Sequence, residues 1–185
     1  MKRVYVVYGY GANPEDNWFP WLKGELKKEN ISVTVPAMPH TNTPALCDWL
    51  PYLQQVIGTP DKDTYIVGHS LGCITILRYL ESLEEGVTIG GVVLVAGFAS
   101  PIHYKELNNF FETPLKAEKI KSSARKLVAI SSDNDQHIPW SQTEELRDKF
   151  GVELIKIHNG GHLNEKAGYK EFPLLMEELN KLINE

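Results

Sequence analysis

Apolar residues are distributed along this chain in two alternating patterns. Short runs rich in β-branched residues occur at Val4–Tyr8, Ser32–Val35, Tyr65–Val67, Gly91–Ala96, Leu127–Ser131 and Glu153–Ile157. The central ones are continuously apolar, which is the mark of strands covered on both faces, as in a parallel sheet. Between them lie stretches with helical spacing: Trp18–Glu29, Pro44–Val56, Leu71–Leu83, Leu115–Ile120, Gln142–Phe150 and Tyr169–Asn184. In the last of these Leu174, Leu175, Leu179, Leu182 and Ile183 form an apolar stripe opposite charged positions. Ser141 is placed to cap the helix that follows it. Strand and helix alternate, so the pattern predicts an α/β fold of three layers, a parallel six-stranded sheet between helices. No repeat or low-complexity tract interrupts it. The one long irregular segment, Gly97–Arg125, is either a small lid or a crossover.

Length and composition narrow this picture. At 185 residues the chain fits one domain, residues 1–185, with a full hydrophobic core. Its net charge of −5 argues against a nucleic-acid partner, which calls for a basic face. Cys47 and Cys73 are too few for a disulfide framework or a four-cysteine zinc site, and both are expected as buried thiols in a reducing compartment. The apolar run after Met1-Lys2-Arg3 is too short for a signal peptide, and no run approaches a membrane span of about 20 residues. The expectation is a cytoplasmic protein with no membrane partner.

Chemistry enters at Gly68-His69-Ser70-Leu71-Gly72. This G-x-S-x-G string follows an apolar strand and opens a helix, the setting in which a serine hydroxyl stands clear of the backbone at the carboxyl end of a sheet. A serine nucleophile needs a base, and the base needs an acid to orient it. In this architecture they follow in the order serine, acid, histidine. Asp133 and Asp135 lie after the fifth apolar run; His158 and His162 lie after the sixth. Asp135 is preferred because it sits nearer the loop apex, before the turn at Pro139, with Asp133 left as a loop hydrogen-bonder. His162 is preferred because Gly160 and Gly161 allow a sharp return of the ring toward Ser70; His158 reads as a partly buried structural residue.

The remaining residues have weaker claims. The oxyanion donors are expected to be the backbone N–H groups of Leu71 and Tyr10, with Gly11 as the alternative to Tyr10. Gly11, Trp18 and His137 are candidate pocket residues, although Trp18 serves equally well to pack the first helix on the sheet. Phe110 and Phe111 either cap the site or bury an edge of the core. His69 is expected to pack beneath the serine turn. Gly9 and Gly11 do not make a dinucleotide fingerprint, since position 14 is Pro14. No spacing of His, Cys, Asp and Glu calls for a metal, and no cofactor is implied.

Taken together, Val6-Val7-Tyr8-Gly9-Tyr10, Asn17-Trp18-Phe19-Pro20-Trp21-Leu22, Ala37-Met38-Pro39, Asp48-Trp49-Leu50, Gly68-His69-Ser70-Leu71-Gly72-Cys73, Asp135-Gln136-His137-Ile138-Pro139 and Gly160-Gly161-His162 resemble the small YdeN-like serine hydrolases. These belong to the α/β-hydrolase superfamily, and the group includes a retinoblastoma-binding member. The resemblance covers essentially the whole chain. It implies a compact hydrolase without a cap domain, active on small esters, with catalytic positions at Ser70, Asp135 and His162. Two departures stand out. Tyr8 occupies a place where close relatives often carry His before the glycine. The L-x-C-x-E motif associated with the retinoblastoma-binding member is here Leu71-x-Cys73-x-Thr75, without the glutamate, so no retinoblastoma-type partner is carried over.

The resulting expectation is a sheet ordered 2-1-3-4-5-6 and a serine hydrolase that cleaves a small-molecule ester, thioester or amide through an acyl-enzyme. A hydrolase fold reduced to a binding or scaffold module is the rival reading; its mark would be a missing triad member, and all three are present. With only Gly97–Arg125 to spare for a lid, the site is expected to be shallow and open.

Overall fold

The computed structural model describes residues 1–185. In chain order the elements are β1 (Arg3–Val7), α1 (Phe19–Lys28), β2 (Ser32–Thr34), α2 (Leu46–Ile57), β3 (Thr64–His69), α3 (Leu71–Ser82), β4 (Gly91–Val95), α4 (Ala117–Ser122), β5 (Leu127–Ser132), α5 (Trp140–Phe150), β6 (Glu153–Ile157) and α6 (Pro173–Asn184). All six strands are parallel, as the alternating pattern predicts, and are ordered β2-β1-β3-β4-β5-β6, the order expected once the family resemblance is added. β3, β4 and β5 are buried along their whole length, whereas the edge strands β2 and β6 are partly exposed. Edge β6 carries Glu153, paired with Lys126, and Lys156, which lies over the Trp140 ring at 4.1 Å. Charges of this kind discourage further strand pairing at an open edge.

The helices turn apolar stripes to the sheet. α1 buries Phe19, Leu22 and Leu26; α2 buries Trp49, Leu53 and Ile57. α3 is different. Every residue from Leu71 to Leu80 is buried, since α3 lies on the sheet with α2 and α4 packed at its sides. A single core of 49 apolar residues runs through all layers. No helix is long and apolar enough to cross a membrane.

Several boundaries and environments differ from expectation for local reasons. α6 begins at Pro173 and not at Tyr169, because proline fixes its own φ and keeps the preceding residue, Phe172, out of the helical conformation, at φ −141° and ψ 72°. α5 begins at Trp140 with Pro139 at its N-cap, so Ser141 lies inside the first turn and caps nothing. Cys47 is exposed and only Cys73 is buried. Position 47 is out of phase with the buried stripe of α2, which runs through 49, 53 and 57.

The segment 97–125 is strapped to the body of the protein. It contains a 3₁₀ turn at Lys105–Phe111 as well as α4. Arg78, buried in α3, donates from Nε to the Phe110 carbonyl at 2.9 Å and from its terminal nitrogens to Thr113, while pairing with Glu81 at 2.6 Å. Glu81 in turn accepts from the Lys116 N–H. Asn109 caps α2 through the Leu46 N–H at 2.7 Å and donates to the Pro44 carbonyl. Phe110 packs edge-on to Trp49, and Phe111 packs beside Phe98; both serve the core. A buried guanidinium with every partner in place is costly to unpair. Replacing Arg78 by Met is expected to cost about 3–5 kcal/mol in urea unfolding, with Lys restoring little, because an ammonium cannot reproduce the fork. A loss under about 1 kcal/mol would show that this strap does not hold the segment.

Candidate active site

The sheet changes winding direction between β1 and β3: the chain leaves β1 toward β2 on one side, and leaves β3 toward β4 on the other. The two loops that follow these strands part there and open a crevice at their carboxyl ends. Ser70 follows β3 and Tyr10 follows β1, so both come to this crevice from topology alone.

Ser70 joins strand to helix in a single residue, with φ 54° and ψ −119°, a backbone conformation that a non-glycine residue adopts only when its surroundings enforce it. Its own N–H is held by the Val95 carbonyl at 2.9 Å. The flanking glycines are required by close approach. A Cβ on Gly72 would lie 1.9 Å from the Val7 carbonyl oxygen, and one on Gly68 would lie 2.7 Å from Ile76 Cδ1. The start of α3 therefore rests directly on the end of β1. Leu71, as the first residue of α3, has an N–H with no intrahelical acceptor.

The loops after β5 and β6 bring Asp135 and His162 together. His162 Nδ1 is 2.7 Å from Asp135 Oδ2, with the carboxylate almost fully buried at 2% exposure. Asp135 Oδ1 also accepts the N–H groups of His137 and Ile138. Burial pushes the Asp135 carboxyl pKa upward, but the hydrogen bond and charge of His162 and the two backbone donors outweigh it, and the net shift is downward. The partner at Nδ1 leaves Nε2 of His162 for the cleft that the imidazole shares with Ser70. Ser70 and His162 thus line one cleft, and a buried carboxylate holds the far ring nitrogen of the imidazole.

The His162 loop is fixed on three sides. Gly160 N–H donates to Ser132 Oγ and Gly161 N–H to Asn134 Oδ1, both at 2.8 Å. The His162 carbonyl accepts from His69 Nε2 at 2.9 Å. The next carbonyl, that of Leu163, accepts from the Trp18 indole at 3.0 Å. Trp18 is fully buried against Phe19, His69 and Phe172, so it is a support and not a pocket wall. Tyr8, buried between Phe19 and Trp49, accepts the Met38 N–H at its hydroxyl.

Two further sequence expectations are corrected. Gly11 does not line the cleft: it is exposed at φ +69°, with its N–H donated to the Thr41 carbonyl at 2.8 Å. That bond occupies the Gly11 N–H, whereas the Tyr10 N–H has no acceptor in the protein. His158 is not partly buried; its side chain is 79% exposed and pairs with Asp133 at 2.6 Å. The Asn159 N–H and His158 hold the Asp133 carboxyl below its ordinary pKa. The two Asp and two His residues thus sort into a buried pair at the cleft and a surface pair beside it.

The cleft has a volume of about 320 Å³, at the small end of the range for ligand sites. His137 lines it, hydrogen-bonded through Nδ1 to the Tyr104 hydroxyl at 2.6 Å. Ile102, Tyr104 and Leu107 form its apolar side, and Asn164 and Lys166 its polar side. The three apolar residues come from segment 97–125, which therefore forms one wall of the site. Their sequence carries no local signal of this role, because a crossover names no direction for its side chains.

Relatives place these features in a group. A sequence profile described as serine hydrolase matches residues 4–181. The chain is 36% identical to YdeN of Bacillus subtilis, over 96% of its own length and 94% of that protein. The chain belongs to the serine hydrolase family. It is also 26% identical to the rat serine hydrolase RBBP9 over 86% of each chain. The crystal structure of B. subtilis YdeN matches over the full length of both chains with a TM-score of 0.96. Est1E from Butyrivibrio proteoclasticus, solved with ferulic acid bound, shares the α/β-hydrolase fold at 10% identity, with a TM-score of 0.76 and coverage of 99% of this chain and 88% of that one. In this serine hydrolase Leu71 and Cys73 are both buried in α3.

His69 gives the site a pH-dependent stability. Burial, with the adjacent His162 imidazole, pushes its pKa down from 6.5 to about 3. Between these values the unfolded chain carries a proton on His69 that the native chain lacks. The contribution of His69 to stability is complete above pH 6.5 and is lost as pH falls through that window. Unfolding free energy measured in urea is expected to fall between pH 6 and pH 4 with up to about 1.4 kcal/mol per pH unit from this residue. His69→Gln should flatten that part of the profile; an unchanged slope would assign the acid sensitivity to other groups.

Proposed function

We propose that this family member is a serine esterase, with Ser70 as nucleophile, His162 as general base and acid, and Asp135 as the group that orients His162. The observation that carries the reading is the His162 imidazole, held at Nδ1 by a buried carboxylate 2.7 Å away and sharing a cleft with a serine on a strained strand-to-helix turn. Ser70 Oγ attacks the acyl carbonyl as His162 Nε2 takes its proton. The negative charge on the tetrahedral intermediate is met by the N–H groups of Leu71 and Tyr10. His162 then returns the proton to the departing alkoxide, and water, activated by the same imidazole, releases the acid. The carboxylate keeps the proton on Nδ1 and stabilises the imidazolium.

The cleft volume favours small carboxylic esters, with thioesters and amides as chemically related substrates. Ile102, Leu107 and Ile138 offer an apolar surface to an acyl chain. No cofactor has a part in these steps. The two free cysteines, without a disulfide, fit a cytoplasmic enzyme.

Fluorophosphonate labelling of the purified protein tests the nucleophile. Wild type is expected to label rapidly and Ser70→Ala not at all; equal labelling of the two would exclude Ser70. For the acid, Asp135→Asn is expected to lower kcat on a p-nitrophenyl ester by up to about 10⁴-fold, the loss seen when a triad carboxylate no longer fixes its imidazole. Asp133→Asn should leave kcat within about twofold, since Asp133 pairs with the exposed His158. The reverse ranking would move the acid role to Asp133.

A further inference from the structure

A second cavity of about 230 Å³ adjoins the catalytic cleft and shares His137, His162, Asn164 and Lys166 with it. Asn134, Gln136, Gly161 and Ala167 complete its walls. His162 thus stands at the junction of two spaces of opposite character. One is walled by Ile102, Leu107, Ile138 and Tyr104; the other is lined mostly by polar residues.

The polar space presents hydrogen-bond donors. Asn134 Oδ1 is spent on the Gly161 N–H and the Ser132 hydroxyl, and Asn164 Oδ1 on the Ala167 N–H. Each of these oxygens accepts from a backbone N–H, so the amide orientation is settled, and each NH₂ group is left without a partner in the protein. Lys166 lines both spaces and forms no ion pair; its neighbour Glu165 is taken by Lys170 at 2.8 Å. The nearest carboxylate of the site, Asp135, is buried and already accepts three N–H bonds. An ammonium and two free amide NH₂ groups, with no competing carboxylate, match the chemistry of a bound anion.

Position relative to the imidazole says which part of the substrate this is. The leaving group must lie against His162, because it takes its proton from Nε2. We propose that the polar space beside His162 is a leaving-group subsite for an anionic group, a carboxylate or a phosphate, held by Lys166 with the amide NH₂ groups of Asn134 and Asn164. This rests on the esterase reading and adds a substrate class to it: an apolar acyl group joined to an alcohol that carries negative charge. Such a substrate spans both spaces, with its ester carbonyl at Ser70.

Matched acetate esters test it. para-Acetoxybenzoate releases an anionic phenol, and its methyl ester releases a neutral one. The ratio of their kcat/KM values cancels the acyl group, and comparing that ratio between wild type and Lys166→Met cancels their intrinsic reactivities. The anionic-over-neutral ratio is expected to fall about five- to tenfold in Lys166→Met. para-Acetoxyphenyl phosphate in place of the benzoate distinguishes the two anions, the larger fall naming the preferred one. A binding arm needs no turnover. Calorimetric titration of para-hydroxybenzoate and para-hydroxyphenyl phosphate into Ser70→Ala should give a Kd that rises by a similar factor when Lys166→Met is added. Ratios and Kd values that ignore Lys166 would overturn the subsite. A wild type that hydrolyses none of the esters would overturn the esterase reading, and the titration would then decide the subsite by itself.

Discussion

The contact between Gly72 and the Val7 carbonyl is the constraint on which the rest of the site depends. A helix can start one residue after a buried parallel strand only if its first turn lies flat on the neighbouring strand, and that requires no side chain at Gly72. Once α3 rests on β1, Ser70 has nowhere to go except the left-handed backbone region, with its hydroxyl lifted out of the sheet. The same contact brings the loop after β1 beside the serine, which is why Tyr10 and Ser70 line one crevice. Strain at one residue is stabilised by burial of ten consecutive residues of the helix behind it.

Much of this was legible in the residues before any coordinates. Continuous apolar runs marked the doubly covered strands, and their alternation with helical stretches implied the parallel order. The serine turn was legible because Gly68 and Gly72 flank Ser70 between an apolar strand and a helix, a setting that a chance Gly-rich turn seldom has. Sequence separation hid the rest. Asp135 and His162 are preferred over Asp133 and His158 from loop position and from Gly160 and Gly161, but that His69 and Trp18 anchor the His162 loop from a distance is not written in the local sequence. Trp18 sits next to the loop that forms the crevice, so its proximity in sequence overstated its role as a pocket wall; its indole instead holds the chain beside His162. Ile102, Tyr104 and Leu107 could not be found at all, because what aims them is Arg78 and Asn109 reaching across from other elements.

The cleft is divided in the way its supports divide. Its apolar wall comes from a crossover pinned to α2 and α3, while its polar wall comes from the loop after β6, built on backbone N–H groups donated to Asn134 and Ser132. The loop after β5 contributes to both, through Ile138 on the apolar side and Asn134 and Gln136 on the polar side, and the Tyr104–His137 hydrogen bond ties it to the crossover.

The hydrogen bond from His69 to the His162 carbonyl has a mechanical consequence. His69 is the residue immediately before Ser70, on the same rigid strand, so the loop that carries the imidazole is fastened to the strand that carries the hydroxyl. When thermal motion displaces β3, the imidazole travels with it. The His162 loop is thereby tied to the buried strand β3 and not to the exposed edges at β2 and β6.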